Sequence, residues 1–330
     1  MALSLKMPVC YATSDAGEFC DGGPFTDAQI VTFQRWLDAG APEGETTEAF
    51  PNPPAEWRLG KPDAVLRPVA AAPIEPEGRP FWRTFVIDLT PYKGKRLRAI
   101  DIRVEAPQVL RQATIGFAGG GLAGSQRGIA GFPTYATLSP YVKQVFGSWA
   151  PGYPAWELPR GTSLPIEADA LAVQAFYLQR GRTEPGGFEV AIYFSDSPRD
   201  RDVKIVQFGT MDIHVPARET AEFTYTHQFN QAVDVIAIVP EARFYCADIL
   251  VTSRGFKLLD TRKWEPYWTG VFRYRAPVRL SAGAEVTARF TVENDIHASR
   301  NEVTVSRPVT GGYRESQEAN FVNLVYCEAR

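Results

Sequence analysis

From Pro80 onward, short runs of alternating apolar and polar positions follow one another between turn-forming clusters: Phe81–Leu89, Arg96–Val104, Val109–Phe117, Ala170–Leu178 and Gly187–Ser195. Period-two alternation over such lengths predicts strands with one face on a core. A long Gly-, Pro- and aromatic-rich excursion separates Ala118 from Pro165, and the polar patch Asp196–Asp202 reads as a hinge. Beyond it a second set runs Val203–Val215, Glu219–Phe229, Val233–Ser253, Trp268–Leu280, Ala284–Glu293 and Asn320–Tyr326. The expected fold is mainly β, with two tandem antiparallel, jelly-roll-like β-sandwich domains at 80–200 and 201–330.

Ahead of these sets, residues 1–50 form a small helical unit. Thr26-Asp27 supplies a cap, Ile30, Phe33, Trp36 and Leu37 fall on one helix face, and Gly40 ends it. Residues 51–79, rich in Pro, Ala and Glu and without periodicity, read as a linker laid over the surface.

One stretch breaks the pattern. Across Val235–Val251, two apolar runs suited to a strand buried on both sides flank a short insert that carries Glu241 and Arg243. Side chains alternate across a strand, so the two charges point the same way, and an ionised group survives burial only with partners or at a solvated cleft. Either the two pair with each other or with exposed neighbours at a strand end, or they mark a functional cleft.

The 330 residues, 45% of them hydrophobic, suffice for two domains with proper cores. With 22% charged residues and a net charge of −3, the composition points away from a nucleic-acid surface and toward small, neutral partners. No window reaches the ~18 apolar residues that a membrane span requires. Met1-Ala2-Leu3-Ser4-Leu5-Lys6 lacks the basic start and long apolar stretch of a secretory signal, the expectation for a cytoplasmic protein or a trimmed exported one. Cys10, Cys20, Cys246 and Cys327 contain no Cys-x-x-Cys spacing, which argues against zinc or thioredoxin-like chemistry. Cys10 with Cys20 would close a short local loop, and Cys246 and Cys327 read as buried or free thiols or as disulfide partners. Gly119–Gly124 matches G-x-G-x-x-G, but no helix pattern follows it, so a mobile surface loop is expected there rather than a phosphate cradle.

Several further stretches, Leu37–Gly44, Trp57–Asp63, Ser148–Gly152, Val173–Tyr177 and Tyr274–Leu280, occur in an order that resembles the ascorbate-dependent type II copper monooxygenases. That family includes peptidylglycine α-hydroxylating and dopamine β-monooxygenases, and the closer resemblance is to bacterial relatives with a cytochrome c-like segment ahead of two copper domains. The resemblance implies one copper held by a His-His pair and the His of a Q-x-H-Y strand, and another held by His-x-His and a Met. Aligned on flanking residues, those positions hold Arg111-Gln112, Phe176, Glu241-Ala242-Arg243 and, after Glu318, Ala319. Guanidinium and phenyl groups offer copper no lone pair. His214, His227 and His297 form no His-x-His or Glu-x-x-His arrangement and read as turn or surface residues. Met7-Pro8 resembles the axial-Met segment of the cytochrome-like piece, but no Cys-x-x-Cys-His is present for a c-type haem, and that piece is expected to pack against the sandwiches. No metal, haem or other cofactor is expected.

Three functional readings follow. In the first, a metal-free enzyme uses the cleft between the sandwiches for cyclisation, isomerisation or elimination of a small organic substrate. Glu241 acts as general acid or base, Arg243 and an opposing Arg111 stabilise an anionic intermediate, and Tyr177 donates a proton, with Gln112, Phe176, Tyr245 and Ala319 lining the substrate. In the second, the same residues grip a small molecule, such as a carboxylate, without turnover. In the third, they only cross-link a scaffold. Aromatic clusters at Trp149, Tyr153 and Trp156 and at Trp264, Tyr267 and Trp268 read as core or loop clasps; facing the cleft, they would favour a large apolar ligand.

Overall fold

The computed structural model describes residues 12–20, 27–43, 56–119, 121–122, 125, 129–262, 264–267, 270–295, 307–314 and 316–330. It is mainly β, and the alternation places the longer strands such as Phe81–Asp88, Arg96–Val104, Ala170–Tyr177 and Glu285–Glu293 to within a residue or two, while the excursion between Ala118 and Pro165 holds four short strands that it does not predict. The first half holds β1 (Ala64–Leu66), β2 (Phe81–Asp88), β3 (Arg96–Val104), β4 (Leu110–Ala118), β5 (Phe132–Thr134), β6 (Gln144–Trp149), β7 (Trp156–Glu157), β8 (Thr162–Pro165), β9 (Ala170–Tyr177) and β10 (Phe188–Phe194). The second holds β11 (Arg201–Thr210), β12 (His214–Val215), β13 (Thr220–Gln228), β14 (Val233–Glu241), β15 (Cys246–Ser253), β16 (Phe256–Arg262), β17 (Phe272–Leu280), β18 (Glu285–Glu293), β19 (Val309–Thr310) and β20 (Asn320–Glu328).

A five-stranded sheet, β5-β2-β9-β4-β6, and a four-stranded sheet, β13-β18-β15-β16, lie over the two halves of a nine-stranded sheet running β1-β10-β3-β8-β11-β20-β14-β17, with β7 on β3. The sandwiches therefore share a sheet. Their join is a short parallel pairing of β8 with β11, Arg201↔Thr162 and Asp202↔Ser163, so the polar patch expected as a hinge ends inside a ladder.

β14 is buried at every position because it has a core on each side. Val233, Val235 and Ile238 face the four-stranded sheet, while Ile236, Ala237 and Val239 join the core of the first sandwich, whose β6 lies against β11, β20 and β14. A bulge between Val235 and Ala237 resets the alternation, which is why Val235 and Ile238 share a face.

Several expectations are corrected. Val235–Val251 is not one strand: β14 stops at Glu241 and β15 starts at Cys246, with a four-residue loop between them. Pairing with β17 has already ended at Ile238↔Phe272, ahead of Pro240, which has no N–H to give. The supposed linker contributes β1 to the shared sheet, and its Ile74 is buried and bridged to Glu184; an apolar run of this length is too short to display a period. Helix α1 (Asp27–Asp38) forms and ends at Gly40 with φ +84°, but Phe33, Trp36 and Leu37 on its apolar face are exposed. Residues 12–20 make the contact instead, through bridges from Thr13 to Asp260 and from Phe19 to Tyr274. Cys246 and Cys327 are buried and His214 is exposed. His227 is half-buried beside Phe229, and burial lowers its pKa. Met7, Cys10, Thr26, Trp268, His297 and, in the glycine motif, Gly120, Ala123 and Gly124 lie outside the described residues.

Candidate functional site

Glu241 ends β14, paired with Phe321 of β20, and is 1% exposed. The loop between β5 and β6 closes over it. The amide of Leu138 donates to Oε1 at 2.7 Å, the amide of Ser139 donates to Oε2 at 3.0 Å, and the Ser139 hydroxyl also donates to Oε2. Asn323 Nδ2 on β20 reaches Oε2 at 3.4 Å, and Gln207 Nε2 on β11 donates to Ser139 Oγ at 3.0 Å and Asn323 Oδ1 at 3.1 Å. Just ahead of these amides Ala136 sits at φ +35° inside a tight turn that the Thr137 amide closes onto the Tyr135 carbonyl. A residue with a Cβ holds that conformation only where its surroundings enforce it. Burial pushes the Glu241 carboxyl above its ordinary range, against the pull of these hydrogen bonds.

Arg243 does not pair with Glu241. It is 0% exposed, and it donates from Nε to Thr137 Oγ1 at 3.1 Å and from Nη1 to the carbonyls of Gly312, Arg314 and Gln317 at 2.9, 2.9 and 3.3 Å. Its buried Nη2 has no partner among the described residues. The counter-charge is Glu318, just ahead of β20 and likewise fully buried. Its carboxylate accepts the amides of Arg243 at 2.6 Å, Tyr245 at 3.0 Å and Ala319 at 2.9 Å. Burial pushes Glu318 up to about 7, with the three amides and the Arg243 charge pulling back, and burial likewise lowers Arg243, which Glu318 opposes. Trp264 Nε1 donates to the Ala242 carbonyl at 3.2 Å, fixing the other side of the loop.

Facing this knot is the first sandwich. Phe176 on β9 and Gln112 on β4 are neighbours in register and both buried. Phe176 packs on Trp82 at 4.5 Å, Trp82 stacks on Tyr267 at 5.4 Å, and Phe244 of the 242–245 loop sits edge-on to Trp82 at 5.9 Å. The ground between the sandwiches is thus filled by rings. A polar ladder runs beside it: Gln174 Nε2 donates to Thr134 Oγ1 at 2.9 Å and to the carbonyl of Thr137, the residue that meets Arg243.

Of the residues named from sequence, Glu241, Arg243 and Ala319 come together, and Phe176 joins them through Phe244. Arg111 is the bulged, exposed residue of β4 and makes no hydrogen bond or ion pair with the described residues, so it does not oppose Glu241. Tyr177 is 1% exposed, its hydroxyl donates to the Gly186 carbonyl at 2.7 Å, and burial raises its phenol far above the ordinary range. Tyr245 packs among Ile213, Val215, Val292 and Val309. Trp149 and Trp156 belong to the core of the first sandwich rather than to the cleft.

The residues present do not fit copper. Of the aligned side chains only the carboxylate of Glu241 and the amide of Gln112 carry donors, both hard oxygen or amide groups, and those of Glu241 are already met by hydrogen bonds. Among the described residues no group of three or more His, Cys, Asp or Glu side chains could hold a metal ion, and no helix is long and apolar enough to cross a membrane.

No family profile and no curated protein matches the chain. Among solved structures it is similar to the VP2 subviral particle of infectious bursal disease virus, at 8% identity over 79% of this chain and 75% of that one, with a TM-score of 0.18. A mutant VP2 of that virus in T=1 particles gives 11% identity, 92% and 80% coverage and a TM-score of 0.16.

Proposed function

We propose that this protein is a non-catalytic, small-molecule-binding member of the two-sandwich copper-monooxygenase kind, in which the old inter-domain centre now holds the halves together. The observation that supports the reading is the setting of Glu241 and Arg243: both are fully buried, and each is bonded to chain segments about a hundred residues away or at the far end of the second sandwich. A general base must reach its proton at about 3 Å. The oxygens of Glu241 are instead reached by Leu138, Ser139 and Asn323. Cavities of about 540 and 560 Å³ lie elsewhere, one beside β2 and one beside β7 and β17.

The acid–base enzyme expected from the residues and this binding protein separate on the variants Glu241→Gln and Arg243→Ala. In a binding protein with a structural knot, both lower the melting temperature. Conversion of a small organic substrate that disappears in Glu241→Gln while the melting temperature stays unchanged would overturn the proposal.

A further inference from the structure

We infer that the first sandwich carries, at its mouth beside β2, a binding site for an organic acid with a flat apolar body; the inference rests on the binding reading above and names its site and ligand class. The cavity there, about 540 Å³, lies between β2 and the 72–80 segment and is within the roughly 300–1,000 Å³ of small-molecule sites. Its walls include Phe81, Trp82, Phe85, Tyr135 and Tyr177, with Phe81 and Tyr177 stacked at 5.3 Å.

Arg83 is the charged group that enters this interior. It stands between Phe81 and Phe85 on the face of β2 that points into the sandwich, where Phe85 packs edge-on against Phe188 of the opposite sheet at 5.2 Å. A cation on a core-facing position needs a partner. Yet Arg83 donates no hydrogen bond to a described residue, its buried Nε has no acceptor, and its guanidinium lies over the Phe81 ring at 5.7 Å. Its stem is held: Gly131, at φ +77°, approaches so closely that a Cβ there would meet Arg83 Cγ at 2.7 Å and the Phe85 ring at 2.8 Å. The other charged residues of the wall, Glu75, Glu77 and Arg79, are on the exposed rim. A guanidinium fixed among aromatic rings, with donors left over, matches a carboxylate, which accepts two parallel N–H bonds from such a fork. The rings match the rest of the ligand.

The test is calorimetric titration of the full chain with phenylacetate, 2-naphthoate and phenylacetamide, the last being the uncharged counterpart of the first. Both acids bind, and the amide binds at least tenfold more weakly. Arg83→Gln erases that preference, and Gly131→Ala, which displaces the arginine stem, weakens both acids. In the unsubstituted protein, phenylglyoxal modification of Arg83, read by mass spectrometry, is slowed by phenylacetate and not by phenylacetamide, a readout independent of whether the variants fold. Equal affinity for acid and amide, a preference that survives Arg83→Gln, or absence of binding by either acid overturns the site while leaving the buried knot as described. Conversion of a bound acid to another compound leaves the site standing and sinks the non-catalytic reading instead.

Discussion

Replacing Arg243 with methionine keeps a side chain of similar length and takes away the charge and every donor. The carbonyls of Gly312 and Gln317 then lose the side-chain donor that meets them, the Arg314 carbonyl keeps only the Gln317 amide and the Thr137 hydroxyl only the Tyr135 carbonyl, and Glu318 loses its counter-ion. Hydrogen bonds to a charged group contribute about 1.5–3 kcal/mol each. The guanidinium also sheds a desolvation penalty of several kcal/mol when removed, which leaves a net loss of about 3–5 kcal/mol. The loss depends on pH with a definite sign. The attraction between Arg243 and Glu318 operates only when Glu318 is ionised, so the deficit of Arg243→Met grows as pH rises through about 7, the position to which burial pushes that carboxyl. Urea unfolding followed by tryptophan fluorescence, repeated on either side of that pH, measures both. A loss below about 1 kcal/mol at neutral pH, within the reach of ordinary surface substitutions, or a deficit that shrinks with rising pH, would mean that Arg243 neither supports the fold nor acts on Glu318.

Further outcomes are expected from other parts of the molecule. With its carboxyl moved from 4.5 to about 7, Glu318 keeps a proton in the folded chain that the unfolded chain has released. Its contribution is therefore full below the unfolded value and lost as pH rises through the folded one, about 3 kcal/mol in all. Glu318→Gln removes that slope, and identical pH–stability curves for the two proteins would count against it. At Asp234, burial alone would raise the carboxyl, but hydrogen bonds from Arg279 and Arg201, both at 2.6 Å, outweigh it and hold it below the ordinary range. That stabilisation is present above the unfolded pKa and lost as pH falls through the folded one, so Asp234→Asn costs about 1–2 kcal/mol at neutral pH and little in strong acid, by thermal melting. Phe176→Ala empties the middle of the ring cluster and lowers stability by about 3–5 kcal/mol; an unmoved urea midpoint would show that the cluster is ornamental.

Much of this was legible in the residues. Alternation of apolar with polar or small residues located β2, β3, β4, β9 and β10, although β9 is buried at every position and β4 at all but Arg111, and an uninterrupted apolar run flagged β14, which has a core on each side. Glu241 and Arg243 stood out against that background. Their partners did not: Leu138, Ser139 and Thr137 approach from about a hundred positions earlier in the chain, and Glu318 reads as an ordinary polar residue ahead of a strand. The join at β8 and β11 spans too few residues to leave a pattern. Arg83, by contrast, was readable. In Phe81-Trp82-Arg83-Thr84-Phe85 it occupies the same parity as two inward phenylalanines, an arginine in a slot reserved for a hydrophobe.

The position of β20 has a consequence for biosynthesis. Residues 320–328 slot between β11 and β14, so a nascent chain halted before residue 320 has a gap in the middle of its largest sheet and two open edges where strands from other molecules can add. Neither half can finish early while the ribosome is still at work. A stop codon that trims only this strand should therefore yield aggregates rather than a shortened but working protein.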